Sequence, residues 1–125
     1  MKVEASLGRA LAGTGPAVDF SGTWRNELGS TMTLSQSSDQ LDGTYQSRVS
    51  SGGGTADGDL RGYCDGDLIA FSVHWRHYQA ITSWVGQVAQ DGVTLRSMWQ
   101  MTKQVDGGEE WASINAGFDT FNRIA

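Results

Sequence analysis

From Phe20 onward, apolar and polar residues alternate in short runs, each closed by Gly, Asp, Asn or Ser. That is the pattern of extended strands joined by hairpins. Eight such segments fall at roughly 21–26, 30–37, 41–48, 57–63, 67–75, 82–90, 93–101 and 110–122. Most are separated by residues that tolerate a left-handed backbone or cap a tight turn: Glu27-Leu28-Gly29, Ser38-Asp39-Gln40, Asp65-Gly66, Asp91-Gly92 and Asp106-Gly107-Gly108. The longest connection carries Gly52-Gly53-Gly54 and is expected to be mobile when no ligand is bound. Eight strands predict an all-β fold, an antiparallel up-and-down barrel whose closure removes exposed edges and leaves room inside for one small ligand.

Residues 1–18 show no sustained periodicity and are read as an N-terminal tail or short helix, with the barrel domain over 19–125. A chain of 125 residues closes one hydrophobic core and has no room for a separate catalytic domain. Seventeen glycines against one proline agree with many tight turns. The formal charge of -5, with no Lys/Arg cluster, excludes a nucleic-acid or anionic-membrane partner, since either needs a basic face. The longest apolar run, Leu68 to Val73, is strand-sized and interrupted by Ser72, too short to span a bilayer. No signal peptide is visible near Met1. Cys64 is the only cysteine, so any disulfide would be intermolecular and a structural zinc site lacks its ligands.

Period-two alternation sorts side chains onto faces. Tyr45, Ser47 and Val49 share one, as do Phe71, Val73 and Trp75, and Thr82 with Trp84. Aromatic residues mixed with small polar ones suit a ligand pocket, whereas a purely structural barrel core favours Val, Ile and Leu. Five tryptophans therefore fit either a binding cavity or plain core.

The order of whole motifs goes further. Gly22-Thr23-Trp24-Arg25-Asn26-Glu27-Leu28-Gly29-Ser30-Thr31 is followed by Leu41-Asp42-Gly43-Thr44-Tyr45-Gln46-Ser47, then Phe71-Ser72-Val73-His74-Trp75 and Thr82-Ser83-Trp84-Val85-Gly86-Gln87. Trp99 ends the seventh segment, and Trp111 stands eight residues before Asp119 in the last. In this order and spacing, from about Phe20 to Arg123, the chain resembles the avidin and streptavidin family. The resemblance implies a streptavidin-like barrel, no catalysis and no cofactor, and high-affinity binding of biotin as ligand. It matches Asn26, Ser30 and Tyr45 to three donors on the ureido oxygen, and Ser47 and Asp119 to acceptors for the ureido N–H groups. Thr82 matches a hydroxyl near the ring sulfur, and Trp75, Trp84 and Trp99 match aromatic walls. The segment after the third strand, with Val49, Ser50 and Ser51, matches the loop that receives the carboxylate. Ala80 stands where a hydroxyl is common, which leaves loop amides for that end. Trp111 matches a tryptophan that caps a neighbouring subunit's site, so a homotetramer is expected. Export to the periplasm or medium is implied as well.

Other readings are weaker. Asp119 with Glu109 or Glu110 makes a poor glycosidase pair, because the Gly-Gly-Glu-Glu turn belongs at the solvated rim. A lipocalin-like carrier of another small ligand needs fewer polar groups inside. His74 and His77 point to opposite faces of a strand, and Asp57 to Asp59 and Asp65 to Asp67 lack the ligand ladder of a calcium loop.

Overall fold

Alternation along each segment puts every second side chain on one surface, and eight such ribbons bury that surface by closing on themselves. In the computed structural model, which describes residues 1–13, 15–48 and 54–125, the strands pair in chain order as a closed antiparallel barrel. They are β1 (Gly22–Asn26), β2 (Thr31–Ser37), β3 (Gln40–Arg48), β4 (Thr55–Asp65), β5 (Leu68–Trp75), β6 (Ala80–Val88), β7 (Thr94–Lys103) and β8 (Ile114–Arg123). A five-residue helix α1 (Val3–Leu7) precedes them and is exposed throughout. Val18 already packs against the barrel core, and Phe20 is wholly buried in it.

The expected eighth segment is corrected at its start. Glu110–Ala112 form a 3₁₀ turn, with the Ala112 N–H on the Glu109 carbonyl at 2.8 Å and the Ser113 N–H on Glu110 at 3.0 Å. The ladder resumes only where the Lys103 N–H reaches the Ser113 carbonyl at 2.9 Å. β4 is longer than the expected 57–63 at both ends, because its outer residues pair in register with Arg48 of β3 and Leu68 of β5. β6 begins at Ala80, which pairs with Lys103, and stops at Val88. There Gly92, at φ +75°, and Asp91 take over, the Asp91 carboxylate accepting the N–H groups of Val93 and Thr94 at 2.9 Å each.

The interior is graded along the barrel axis. At the end where β3 starts and β2 finishes it is apolar, with Leu34, Leu41, Cys64, Ile69, Val88 and Leu95 all at most 5% exposed. Trp24, Phe121, Met32 and Leu60 fill the layer above. Trp24 donates its indole N–H to the Phe20 carbonyl at 3.0 Å and lies under the Arg123 guanidinium, 4.4 Å from the ring centre. It thereby fastens the entering chain and β8 to β1. Cys64 belongs to this core: its thiol donates toward the Ser38 carbonyl, and burial pushes its pKa up, so it is poorly placed to form a bridge to another chain.

One cross-strand row of outward side chains is apolar. Tyr63, Ala70, Val85, Met98 and Phe118 are successive register partners on β4 to β8, and all but the small Ala70 are large hydrophobics left more than half exposed. Trp24→Ala, which empties the layer above the apolar end, is expected to cost about 3–5 kcal/mol in urea unfolding of the ligand-free protein.

Candidate functional site

At the opposite end the inward positions turn polar. Asn26, Ser30, Thr82, Ser97 and Asp119 are at most 9% exposed there. Asn26, Ser30, Tyr45, Ser47, Trp75, Thr82, Trp84, Trp99 and Asp119 line one chamber of 160 Å³, so nine of the expected site residues come together on six strands and one turn. Val49, Ser50 and Ser51 lie outside the described residues. Trp111 does not line its own barrel's chamber: it sits on the 3₁₀ turn and is 84% exposed.

Hydrogen bonds fix which way each polar group points. The Asn26 side-chain oxygen accepts the N–H groups of Leu28 at 3.0 Å and Ser30 at 2.9 Å. Its NH₂ therefore faces inward, toward the Tyr45 hydroxyl at 3.4 Å. The Ser30 oxygen accepts the Arg48 N–H at 2.9 Å, so its hydroxyl proton is turned inward, beside the Tyr45 hydroxyl. Burial, followed by the charges of Asp119 and Glu27, raises the Tyr45 pKa well above the usual phenol value, so this hydroxyl keeps its proton too. Three protons thus converge from β1, the β1–β2 turn and β3.

Across the chamber stand acceptors. Asp119 receives the Trp84 indole N–H on Oδ2 at 2.8 Å, and its backbone carbonyl receives the Ser97 hydroxyl at 2.9 Å, so Oδ1 is the oxygen left to the neighbouring Asn26 and Glu27 side chains and to the cavity. Ser47 lines the same space. The Trp75 indole donates to the Thr82 hydroxyl at 2.9 Å, fixing that ring as a wall. Tyr45 stacks on Trp84 with centroids 4.8 Å apart, and Phe71 also stacks on Trp84, at 5.1 Å. Gly117 is required where it is, because a Cβ there would meet the Trp99 ring at 2.6 Å.

The chamber opens into a vestibule of 430 Å³ lined by Arg48, Ala56, Tyr78, Gln79, Ala80, Lys103 and Gln104 together with Ser47, Trp75 and Met101. It contains two cationic side chains and, among its described lining residues, no carboxylate. Chamber and vestibule together lie in the size range of small-molecule sites, and the chamber alone matches the room that one benzene-sized ring occupies. Leu28, Arg48 and Met101 were not anticipated as lining. Met101 has the same parity as Trp99 and was legible from alternation. Arg48 has the wrong parity and reaches the site only because β3 ends there.

A sequence model of the avidin family matches residues 15–124. The chain belongs to the avidin family. Among its relatives, avidin-related protein 4/5 of Gallus gallus is 28% identical over 116 residues, covering 84% of this chain and 77% of that protein. Avidin of Gallus gallus is 27% identical over 118 residues, covering 84% and 78%. The crystal structure of xenavidin superposes with a TM-score of 0.71 at 30% identity, covering 85% of this chain and 98% of that one. The rhizavidin–biotin complex superposes with a TM-score of 0.72 at 28% identity, covering 84% and 92%.

In this avidin-family barrel Asp119 is the buried carboxyl of the chamber. Burial raises its pKa to about 6 against the stabilising N–H of Trp84, and the nearby carboxylate of Glu27 adds to the rise. The folded protein therefore keeps a proton that the unfolded chain releases near 3.8, and stability falls as pH climbs through that window to about 6. Above it the ionised carboxylate is a net cost. Asp119→Asn, which still accepts from Trp84, is expected to raise the thermal midpoint of the ligand-free protein by on the order of 5 °C at pH 7.5, and much less at pH 4. Scanning calorimetry at both pH values checks this.

Proposed function

We propose that this chain binds biotin with high affinity, ring end first, in the open end of the barrel, and catalyses no reaction. The observation that carries the reading is the complementarity of the chamber. Three inward protons, on Asn26, Ser30 and Tyr45, ask for one strong acceptor, while Asp119 and Ser47 ask for flanking N–H donors. A cyclic urea presents that arrangement in one flat ring. Thr82, Trp75, Trp84 and Trp99 then surround the rest of the bicycle. Family membership and the likeness to the rhizavidin–biotin complex support the same ligand.

The acyl tail is assigned to the vestibule. Ala80 offers its carboxylate no hydroxyl, but Arg48 and Lys103 offer charge. A lipocalin-like carrier of another ligand is disfavoured, because an apolar guest would leave the chamber's donors unpaired. Export to the periplasm or medium is carried over from the family resemblance.

Biotin at a hundredfold excess over its Kd is expected to add about 2.7 kcal/mol of stability and raise the thermal midpoint accordingly, and no shift at millimolar biotin overturns the reading. Asp119→Ala is expected to weaken binding by about 10–100-fold in calorimetry, more than Ser47→Ala, because it leaves a buried N–H without its charged acceptor.

The assembly we propose is a homotetramer in which Trp111 covers the site of a neighbouring subunit. The apolar row from Tyr63 to Phe118 supports self-association, since soluble proteins rarely leave such a surface in water. Trp111 supports the capping role: it is outside its own chamber, and the Lys103 ammonium holds its turn by donating to the Ala112 carbonyl at 3.1 Å and to the Asn115 side-chain oxygen. Trp111→Lys is expected both to lower the particle mass toward dimers and to speed biotin release. Light scattering and a dissociation-rate measurement check the pair, and a wild-type particle of dimer mass refutes the tetramer.

A further inference from the structure

Glu27 has no place in the ligand set, yet its carboxylate is fixed beside it. It leaves the β1–β2 turn to accept the backbone N–H of Thr120, on β8, at 2.9 Å. Thr120 follows Asp119 directly, so the bond to its N–H holds the Glu27 carboxylate beside the Asp119 carboxyl. Asp119 is faced by Asn26 from β1, Glu27 from the turn, Tyr45 from β3, Trp84 from β6 and Ser97 from β7. None of these carries a positive charge. Arg48 stands at the mouth, and Arg25 and Arg96 are exposed on the barrel's outside. Among the described residues the side-chain ion pairs are Arg61–Asp42 and Arg76–Asp59, both away from this end of β8. The charge that bears on the buried carboxylate is another carboxylate, that of Glu27, although Arg48 lines the same chamber from its mouth.

We propose that Glu27 is a positioning residue that, together with burial, keeps a proton on the Asp119 carboxyl of the empty site in acid, so that ligand binding there must expel this proton and weakens. The inference rests on the cyclic-urea reading of the chamber. Asp119 is the buried member of the pair, and burial favours its neutral form, so the shared proton resides on Asp119. With Trp84 on Oδ2, the proton occupies the remaining oxygen, Oδ1, which a ligand N–H would need. Binding then exchanges an O–H···O⁻ bond for an N–H···O⁻ bond and releases H⁺ to solvent. At neutral pH the site is already ionised and ready.

The probe is biotin methyl ester, whose tail does not titrate, measured by calorimetry at pH 5 and pH 7.5. The native protein is expected to bind about tenfold more weakly at the lower pH, as a single proton with a midpoint of about 6 requires. Glu27→Gln, whose amide accepts from Thr120 and donates to Asp119, leaves the burial of Asp119 in place and is expected to lose clearly less between the two values, about threefold, and Glu27→Asp to restore the native slope. A flat native profile, or a Glu27→Gln profile as steep as the native one, overturns the proposal. A merely structural role for Glu27 would move affinity at both pH values alike. A ¹³C titration of the Asp119 carboxyl in ligand-free protein reads the same coupling without any ligand: Glu27→Gln must lower its midpoint. If the ester binds at no pH, the ligand reading has failed, and this titration still decides the role of Glu27.

Discussion

Everything at the open end depends on the closure of β1 against β8. Trp24, Arg25 and Asn26 pair with Arg123, Asn122 and Phe121, the shortest of the barrel's ladders. That ladder alone brings the start of the domain to its end, and so places Asn26 and the Glu27 turn next to Asp119. Without it the donors would stand on one sheet edge and the acceptor on the other. It is reinforced from below, where Trp24 binds the Phe20 carbonyl and lies under Arg123, and Arg123 in turn donates to the carbonyls of Ser21 and Asp19. The apolar end of the barrel therefore holds the two halves of the polar end in register. Stability and site geometry share one set of contacts.

Closure also sets the energetic problem that the chamber solves. An eight-stranded interior must be filled, and polar groups placed in it without partners cost free energy. Here each is half satisfied by the protein itself. Asn26 uses its oxygen on two backbone N–H groups, Ser30 uses a lone pair on Arg48, and Asp119 gives one oxygen to Trp84. What remains unspent on each is the proton or lone pair that faces the cavity. The residual cost is concentrated on the Asp119 carboxylate, and a guest of matching polarity would offset it. Preorganisation of this kind turns strain in the free state into selectivity.

Alternation made the barrel legible, and with it the parity of Tyr45, Ser47, Trp75, Thr82, Trp84 and Trp99, because inward positions on a strand repeat every second residue. Asn26, Ser30 and Asp119 became legible only through motif order, since an Asn or Ser beside a turn reads equally as a cap. Two kinds of residue escaped. Arg48 and Lys103 sit where strands end, and there the pleat no longer dictates direction. Glu27 acts through a bond to a residue on the far strand, which no local pattern encodes. The start of the last strand was misjudged for a related reason: Glu110-Trp111-Ala112 can extend or coil, and the coil wins because Gly107 and Gly108 break the ladder before it. Ser50 and Ser51 were read from the resemblance, Val49 from alternation as well, and all three lie outside the described residues.

The charge distribution resolves an apparent conflict between the chain and the ligand proposed for it. At -5 overall, the protein repels an anion at long range. In physiological salt, however, that field decays over about 8 Å, so what a carboxylate meets on arrival is set by the nearest side chains. At the mouth these are Arg48 and Lys103, without a carboxylate among the vestibule's described lining residues, while the exposed acids Asp59, Asp91 and Glu110 have partners of their own elsewhere. Lys103 is only partly free for this, because its ammonium also carries the Trp111 turn. An incoming carboxylate that draws Lys103 toward the vestibule must act on the same contacts that orient Trp111. In the proposed assembly, tail recognition and the Trp111 lid would thus be tied through one side chain, with Arg48 as the cation that has no such second duty in the contacts described.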